Sequence, residues 1–481
     1  MSAPAALWLC LGLPALPLEV LMPADRQTAA VLVSAGRTPQ VLISNPAAAA
    51  LGIRPGLALG AAQALGDVEV YTHAPRAEHA ALEALAAWCG QFTSYVSLAP
   101  PDGLLLEVGG SLTLFGGSAR LMARLRADAS ELGYSATLAA APTPLAAIWF
   151  ARARVETCIT EQGQLHGPLG QLPLAVLGLD ARSLAALTGI GLRRIGECLQ
   201  LPRDGLARRL GPGLLSMLDR ARGYAPDPRP RFEPPARFRC LIDLPHEVDE
   251  AAALQFIARR QLLQLTGFLR GRGAGTRRLD WRLIHREGRE TRFHIALVAP
   301  SRDPEHLGQL LRLRLERLPL PEPVRGIQLD VADPRPLAAT PLALLPASRE
   351  PAGEPSWSLI ERLCAQLGEE AVRGLRLAPD HRPESAWCFC PPGETGPVLV
   401  PRRRPLWLLA EPRALTVRAR RPWLHGPLRV LGSGERIESG WWDGQPIARD
   451  YYPARNALGS QFWIFREIEG ARRWFLHGIF E

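Results

Sequence analysis

Two proline-rich breaks constrain this chain more than any other feature. Asp227–Pro235 and residues 336–356 cannot continue a helix or a central strand, because proline fixes φ and lacks an N–H. They leave three stretches, each long enough for one or two domains of roughly 100–150 residues. With 47% hydrophobic residues every stretch can bury a core. No apolar run reaches membrane-spanning length. Leu7–Leu13 is apolar but short, lacks a basic flank and runs into Pro14 and Pro17, so it reads as a buried strand and not as a signal peptide. Eight thinly spread cysteines fit reduced thiols in a cytoplasmic protein.

All 56 basic residues are arginine, and lysine is absent. Lysine chemistry, whether a Schiff base or a phosphate-loop lysine, is therefore excluded. Most of the bias reads as codon usage. The net charge is +9 and is unevenly spread. Residues 1–150 hold 7 Arg against 10 acids, whereas 201–330 hold 24 against 16. An acidic partner such as nucleic acid is expected, met by the middle of the chain.

Periodicity gives an α+β chain. Residues 1–165 alternate strands and helices, and 166–230 read as helical. Residues 236–335 read as βαββαβ, a ferredoxin-like unit. The tail, 357–481, begins with a helix near Ser358–Leu367 and becomes Trp-rich and β-rich. Within the helical part, Leu187–Leu199 resembles a helix-hairpin-helix. Gly189 and Gly191 allow the turn, free N–H groups of the second helix would hold a DNA phosphate, and Arg193 and Arg194 add charge. In the βαββαβ unit Leu279, Trp281 and Leu283 alternate with Arg278, Asp280, Arg282 and Arg286. On the partner strand Phe293, Ile295 and Leu297 alternate with Arg292, His294 and Ala296. One face should pack on helices, and the other should be open and basic, suited to a phosphate backbone.

This order of modules resembles a Y-family (lesion-bypass) DNA polymerase. Residues 1–165 would be palm and fingers (UmuC-type), 166–230 the thumb and 236–335 the little finger. Gly52–Leu57 is similar to the fingers motif GVxxGM, and Leu104–Ser111 to the palm strand after the SIDE motif. The resemblance implies a two-metal site built by three carboxylates. The chain departs from it there. With Glu19 on the last position of DxDxFFAxVE, the Asp positions fall on Cys10 and Gly12. SIDE becomes Pro100–Gly103, keeping Asp102 but placing Gly103 where the Glu belongs. The triphosphate-binding Tyr and Arg fall on Pro46 and Ala49, the ribose gate near Pro14 or Ala15, and NKLLAK on Thr143–Ile148. The expectation is a polymerase fold with no catalytic residues, no metal and no cofactor. An active low-fidelity polymerase using Asp102 and Glu107, or a protein-only adaptor, are the rival readings.

The tail resembles the C-terminal region of the ImuB branch through Arg436–Gly444, Arg449–Tyr452, Trp474–Phe480, Pro379–Glu384 and Leu408–Pro412. That resemblance implies a scaffold for translesion synthesis in the SOS response to DNA damage, a mutagenesis pathway. It implies primer-template DNA, ImuA, an error-prone C-family polymerase and the sliding clamp as partners, with no membrane, in the cytoplasm at the nucleoid. Trp441, Trp442, Tyr451 and Tyr452 are candidate partner anchors. Leu342, Leu344 and Leu345, within Pro341–Leu345, are a degraded match to the clamp motif QLxLF. Gln171–Leu174 keeps the Gln but reads as structural. Cys388, Cys390 and His381 lack the spacing and ligand number of a zinc site.

Overall fold

The computed structural model describes residues 6–22, 28–337, 357–397 and 403–480, in two units, 1–366 and 367–481. The first unit opens with β1 (Trp8–Gly12), β2 (Ala30–Val33), β3 (Val41–Ser44), β4 (Glu69–Thr72), β5 (Val96–Ala99), β6 (Gly103–Glu107), β7 (Thr137–Ala141) and β8 (Thr157–Cys158). β1 is central in a sheet of order β5–β6–β1–β7–β8. Its apolar run suits a strand covered on both faces. Leu9 and Leu11 join a core with Leu82, Leu121 and Leu125. Cys10 joins the opposite core with Leu105, Ala139 and Trp149.

The helix Pro144–Arg152 supplies Trp149 and is buried from Pro144 through Ala151. The Thr143 hydroxyl ahead of it donates to the Ala221 carbonyl (2.7 Å), tying it to the helix Pro212–Arg222. A second sheet, β3–β2–β4, has its own core of Val31, Val33, Val41, Ala48 and Ile53. Gly52 and Gly56 adopt φ of +87° and +91° in the connection between β3 and β4, a region that favours glycine. The helices Ala181–Gly189, Ile195–Gln200 and Arg203–Leu210 fall in the stretch expected to be helical.

The βαββαβ order is present as β9 (Phe238–Val248), helix Ala251–Gly271, β10 (Ala274–Ile284), β11 (Glu290–Ser301), helix Pro304–Leu315 and β12 (Val324–Val331). The sheet order is β11–β10–β12–β9, with every neighbouring pair antiparallel. Buried Gln261 donates to the carbonyls of Cys240 (2.9 Å) and Ile327 (2.8 Å), fixing the first helix across β9 and β12.

The next helix, Trp357–Leu367, lies all but one residue within the first unit, where the sequence reading assigned it to the tail. Its Glu361 is buried, accepts a hydrogen bond from Val298 N–H (2.7 Å) on edge strand β11 and meets His306 Nε2 at 2.6 Å. The second unit holds a ribbon, Gly374–Leu377 with Trp387–Cys390. Beside it is an antiparallel sheet in the order Arg421–Trp423, Trp407–Arg418, Trp474–Ile479, Gln461–Glu467, Ile447–Arg455, Arg429–Val430. Glu435–Ser439 also pairs with Ile447–Arg455. Leu415, Leu428, Ala454, Ile464 and Leu476 form a core on one side of this sheet, and Ile437, Tyr451, Trp463 and Phe465 form one on the other. No described helix is long and apolar enough to cross a membrane.

Candidate functional site

The sheet register brings the substituted polymerase positions together. Cys10 lies opposite Leu105 and Gly12 opposite Gly103. Leu13 N–H donates to the Asp102 carbonyl (2.7 Å), which sets Asp102 at the end of β1. Cys10, Gly12, Asp102 and Gly103 line one cleft of about 70 Å³ with Thr137, Ile148 and Arg152. Arg152 Nη2 stands 3.8 Å from Asp102 Oδ1, so the surviving carboxylate faces a fixed cation. Burial, with the Asp102 charge adding to it, pushes the Cys10 thiol up to about 12. At neutral pH Cys10 is therefore a neutral thiol. A Cβ at Gly12 would collide with the Thr137 hydroxyl, whereas one at Gly103 would meet the Leu11 carbonyl at an ordinary 3.5 Å. Among the described residues no three His, Cys, Asp or Glu come close enough to hold a metal ion.

Glu107 does not join Asp102. Its carboxylate accepts N–H bonds from Leu7 (3.3 Å) and Gly109 (3.0 Å) at the far end of β6. Five steps of about 3.3 Å each along the chain separate it from Asp102, which stands just before the strand.

The positions on which the resemblance places the triphosphate ligands carry apolar or helix-capping residues. Thr143 Oγ1 accepts Ala146 N–H (3.4 Å), and Pro144 opens its helix with no N–H to offer. Asn45 Oδ1 accepts from Ala48 (2.8 Å) and Ala30 (3.0 Å), closing the helix that begins at Pro46. Ala49 is exposed on that helix. Pro14 lines the Cys10 cleft. Ala15 and Pro46 line another cleft, of about 50 Å³, beside Glu19, whose carboxylate accepts Ser135 N–H (3.0 and 2.9 Å).

The hairpin differs from its expected chemistry. Gly189 and Gly191 are exposed, and Gly191 adopts φ +89°. The N–H groups leading into the second helix, Ile195–Gln200, are satisfied internally. Glu197 accepts from Arg193 N–H (2.6 Å) and Arg194 N–H (3.0 Å), while Gly191 and Leu192 N–H donate to Thr188 and Leu187. These backbone bonds hold the Glu197 carboxyl below its usual range. Arg194 donates to Gln171, and Arg193 is exposed. Sequence reasoning missed Glu197, although it stands three residues after Arg194, the capping-box spacing.

The β10–β11 alternation is as expected. Leu279, Trp281, Leu283, Phe293, Ile295 and Leu297 are buried. The opposite face is not the open basic plate that was expected. Arg278 pairs with Asp280 (2.8 Å), Arg282 with Asp330 (3.3 Å) and Glu290 (3.7 Å), Arg286 with Glu247 (2.6 Å), and Arg292 with Glu290 (2.7 Å). Two of the acids, Glu247 and Asp330, come from β9 and β12, the strands beyond the hairpin.

In the second unit Trp441 is 80% exposed and Trp442 55%. They meet edge to face at 5.6 Å. Arg382 positions their loop, pairing with Asp380 (2.8 Å) and Asp443 (2.5 Å). Tyr451 is not a surface anchor. It is buried, stacks on Trp463 at 4.2 Å and shares a 2.7 Å hydrogen bond with His477. Strand alternation leaves its neighbour Tyr452 half-buried against Trp474. Cys390 is buried and Cys388 half-buried on one strand. Leu342, Leu344 and Leu345 lie outside the described residues.

Residues 19–151 match the impB/mucB/samB (IMS) family model. Protein ImuB of Caulobacter vibrioides, strain NA1000, is 30% identical over 461 residues, 89% of this chain and all of that protein. The ImuB of strain ATCC 19089 matches equally. Among solved structures, DinB from Sulfolobus solfataricus aligns over 69% of this chain and all of its own, with 14% identity and a TM-score of 0.38. A ternary complex of Dbh DNA polymerase aligns over the same share with 13% identity and a TM-score of 0.39. By its similarity to the Caulobacter proteins over nearly its whole length, the chain belongs to the ImuB family.

Proposed function

We propose that this chain is a non-catalytic, Y-family polymerase-like scaffold that binds DNA and recruits an error-prone polymerase for translesion synthesis. The observation that carries the reading is the cleft at the end of β1. A neutral Cys10, a sterically closed Gly12 and an Asp102 facing Arg152 stand where two metal ions would need three carboxylates. In this reading residues 1–165 are palm and fingers, 166–230 a thumb and 236–335 a little finger. Primer-template DNA meets Arg193 and the partly neutralised face around Arg278, Arg282, Arg286 and Arg292. The exposed Trp441 and Trp442 anchor a protein partner, the C-family polymerase or ImuA, and the protein works in the cytoplasm at the nucleoid. The sliding clamp is a further partner through Leu342–Leu345.

Primer extension with Mg²⁺ or Mn²⁺ tests the reading. No nucleotide incorporation is expected, from the wild type or from Asp102→Ala. Incorporation that Asp102→Ala abolishes would establish an active polymerase instead.

A further inference from the structure

On the outer face of the β10–β11 hairpin, Arg278, Arg282, Arg286 and Arg292 each have an acid nearby. One face of the second unit is built the opposite way. Arg418 and Arg421 are register partners across neighbouring strands. Arg429 and Arg455 are register partners across another pair. The two pairs are joined by a short antiparallel turn in which Trp423 bridges Pro427 and Leu428 N–H donates to the Pro422 carbonyl (2.9 Å). Arg418, Arg421, Arg429 and Arg455 therefore form a row of two register pairs joined through this turn, which links the two end strands of the sheet order.

All four are exposed, while their chain neighbours Pro422, Leu428 and Ala454 are buried. The row thus lies on the outer face. Among the described residues none of the four forms an ion pair. Beyond Arg455 the row continues through its partner Gln461, whose side-chain oxygen accepts from Arg403 (3.0 Å). Like charges directly opposite one another destabilise a sheet, so a row of this kind costs the fold stability unless an anion neutralises it. Register partners on neighbouring strands stand about 5 Å apart, so each pair concentrates two cations at one point of the surface. Trp423 is half-buried and lies opposite Thr416, with the Arg418 guanidinium 5.0 Å from its ring centre. Arginines interleaved with an aromatic ring suit a single strand, whose phosphates pair with the cations while a base stacks on the ring.

We propose that this row is a second nucleic-acid site, for single-stranded DNA, independent of the DNA contact assigned to the first unit. The test is fluorescence anisotropy of a labelled 20-nucleotide oligo-dT with the full-length protein over a NaCl series. Arg421→Ala/Arg429→Ala should reduce the slope of log affinity against log salt by about 1.4, near 0.7 per lost phosphate contact. Trp423→Ala should weaken binding roughly five- to hundredfold with the slope unchanged. Arg421→Lys/Arg429→Lys should keep the wild-type slope, which separates lost charge from a damaged fold. Arg282→Ala/Arg286→Ala should leave the contribution of Arg421 and Arg429 intact, so failure at the first unit is read separately. A wild-type slope in Arg421→Ala/Arg429→Ala, or an equal loss in the lysine pair, overturns the proposal. So does wild-type protein that sediments with phosphatidylglycerol vesicles but does not retain the oligonucleotide.

Discussion

At Gly12 the absence of one carbon decides what the cleft can hold. Its register partner across β1–β7 is Thr137, whose hydroxyl occupies the space a Cβ would need. Gly12→Asp should therefore destabilise the first unit by about 1–3 kcal/mol through overpacking, read as a lower melting temperature by circular dichroism. Thr137→Ala in the same chain should recover part of that loss. The glycine itself was legible, because it falls on a known carboxylate position of the resembled motif. Its blocking partner was not, since only the pairing of strands 125 residues apart brings Thr137 there. Arg152 went unread for the same reason: a lone arginine near the end of an apolar helix gives no sign that Asp102 lies beside it.

At the scale of elements, alternation predicted which side chains of β10 and β11 are buried, because a period of two is a local property. It could not reveal that Asp330 and Glu247 neutralise the outer face, since they arrive on β12 and β9. The strand Val96–Ala99 was missed because it is short and runs into Pro100–Pro101, which read as a loop. The helix Trp357–Leu367 was found, but its attachment was not, because the Glu361 partners lie on β11 and the helix Pro304–Leu315. Removing that buried carboxylate leaves Val298 N–H and His306 unsatisfied, at a cost of about 1–3 kcal/mol. Glu361→Ala should loosen this helix from the sheet edge. Limited trypsin digestion should then cut after Arg362 faster than in wild type, and an unchanged rate would mean that apolar contacts alone hold the helix.

At the scale of the molecule, two units with separate cores should unfold as separable transitions. They should respond differently to acid. Burial lowers the pKa of His477 to about 4, from an ordinary 6.5. Between those values the unfolded chain binds a proton that the folded core excludes. Stability of the second unit is thus full above about pH 6.5 and falls as pH drops toward 4. Urea denaturation followed by tryptophan fluorescence should show the second unit losing on the order of 1–2 kcal/mol between pH 7 and pH 5. His477→Gln should flatten that dependence. The Tyr451–Tyr452 pair illustrates what was readable here. Alternation requires one of two adjacent strand residues to face inward, but which one depends on where Trp463 and His477 stand.

The crowding between Gly12 and Thr137 also bears on redesign. In the proposed reading a metal site cannot be installed one substitution at a time: an aspartate placed at position 12 meets the threonine, a glutamate placed at 103 stands alone, and Arg152 already pairs with Asp102. A designer would have to relieve Thr137 and remove Arg152 before adding carboxylates.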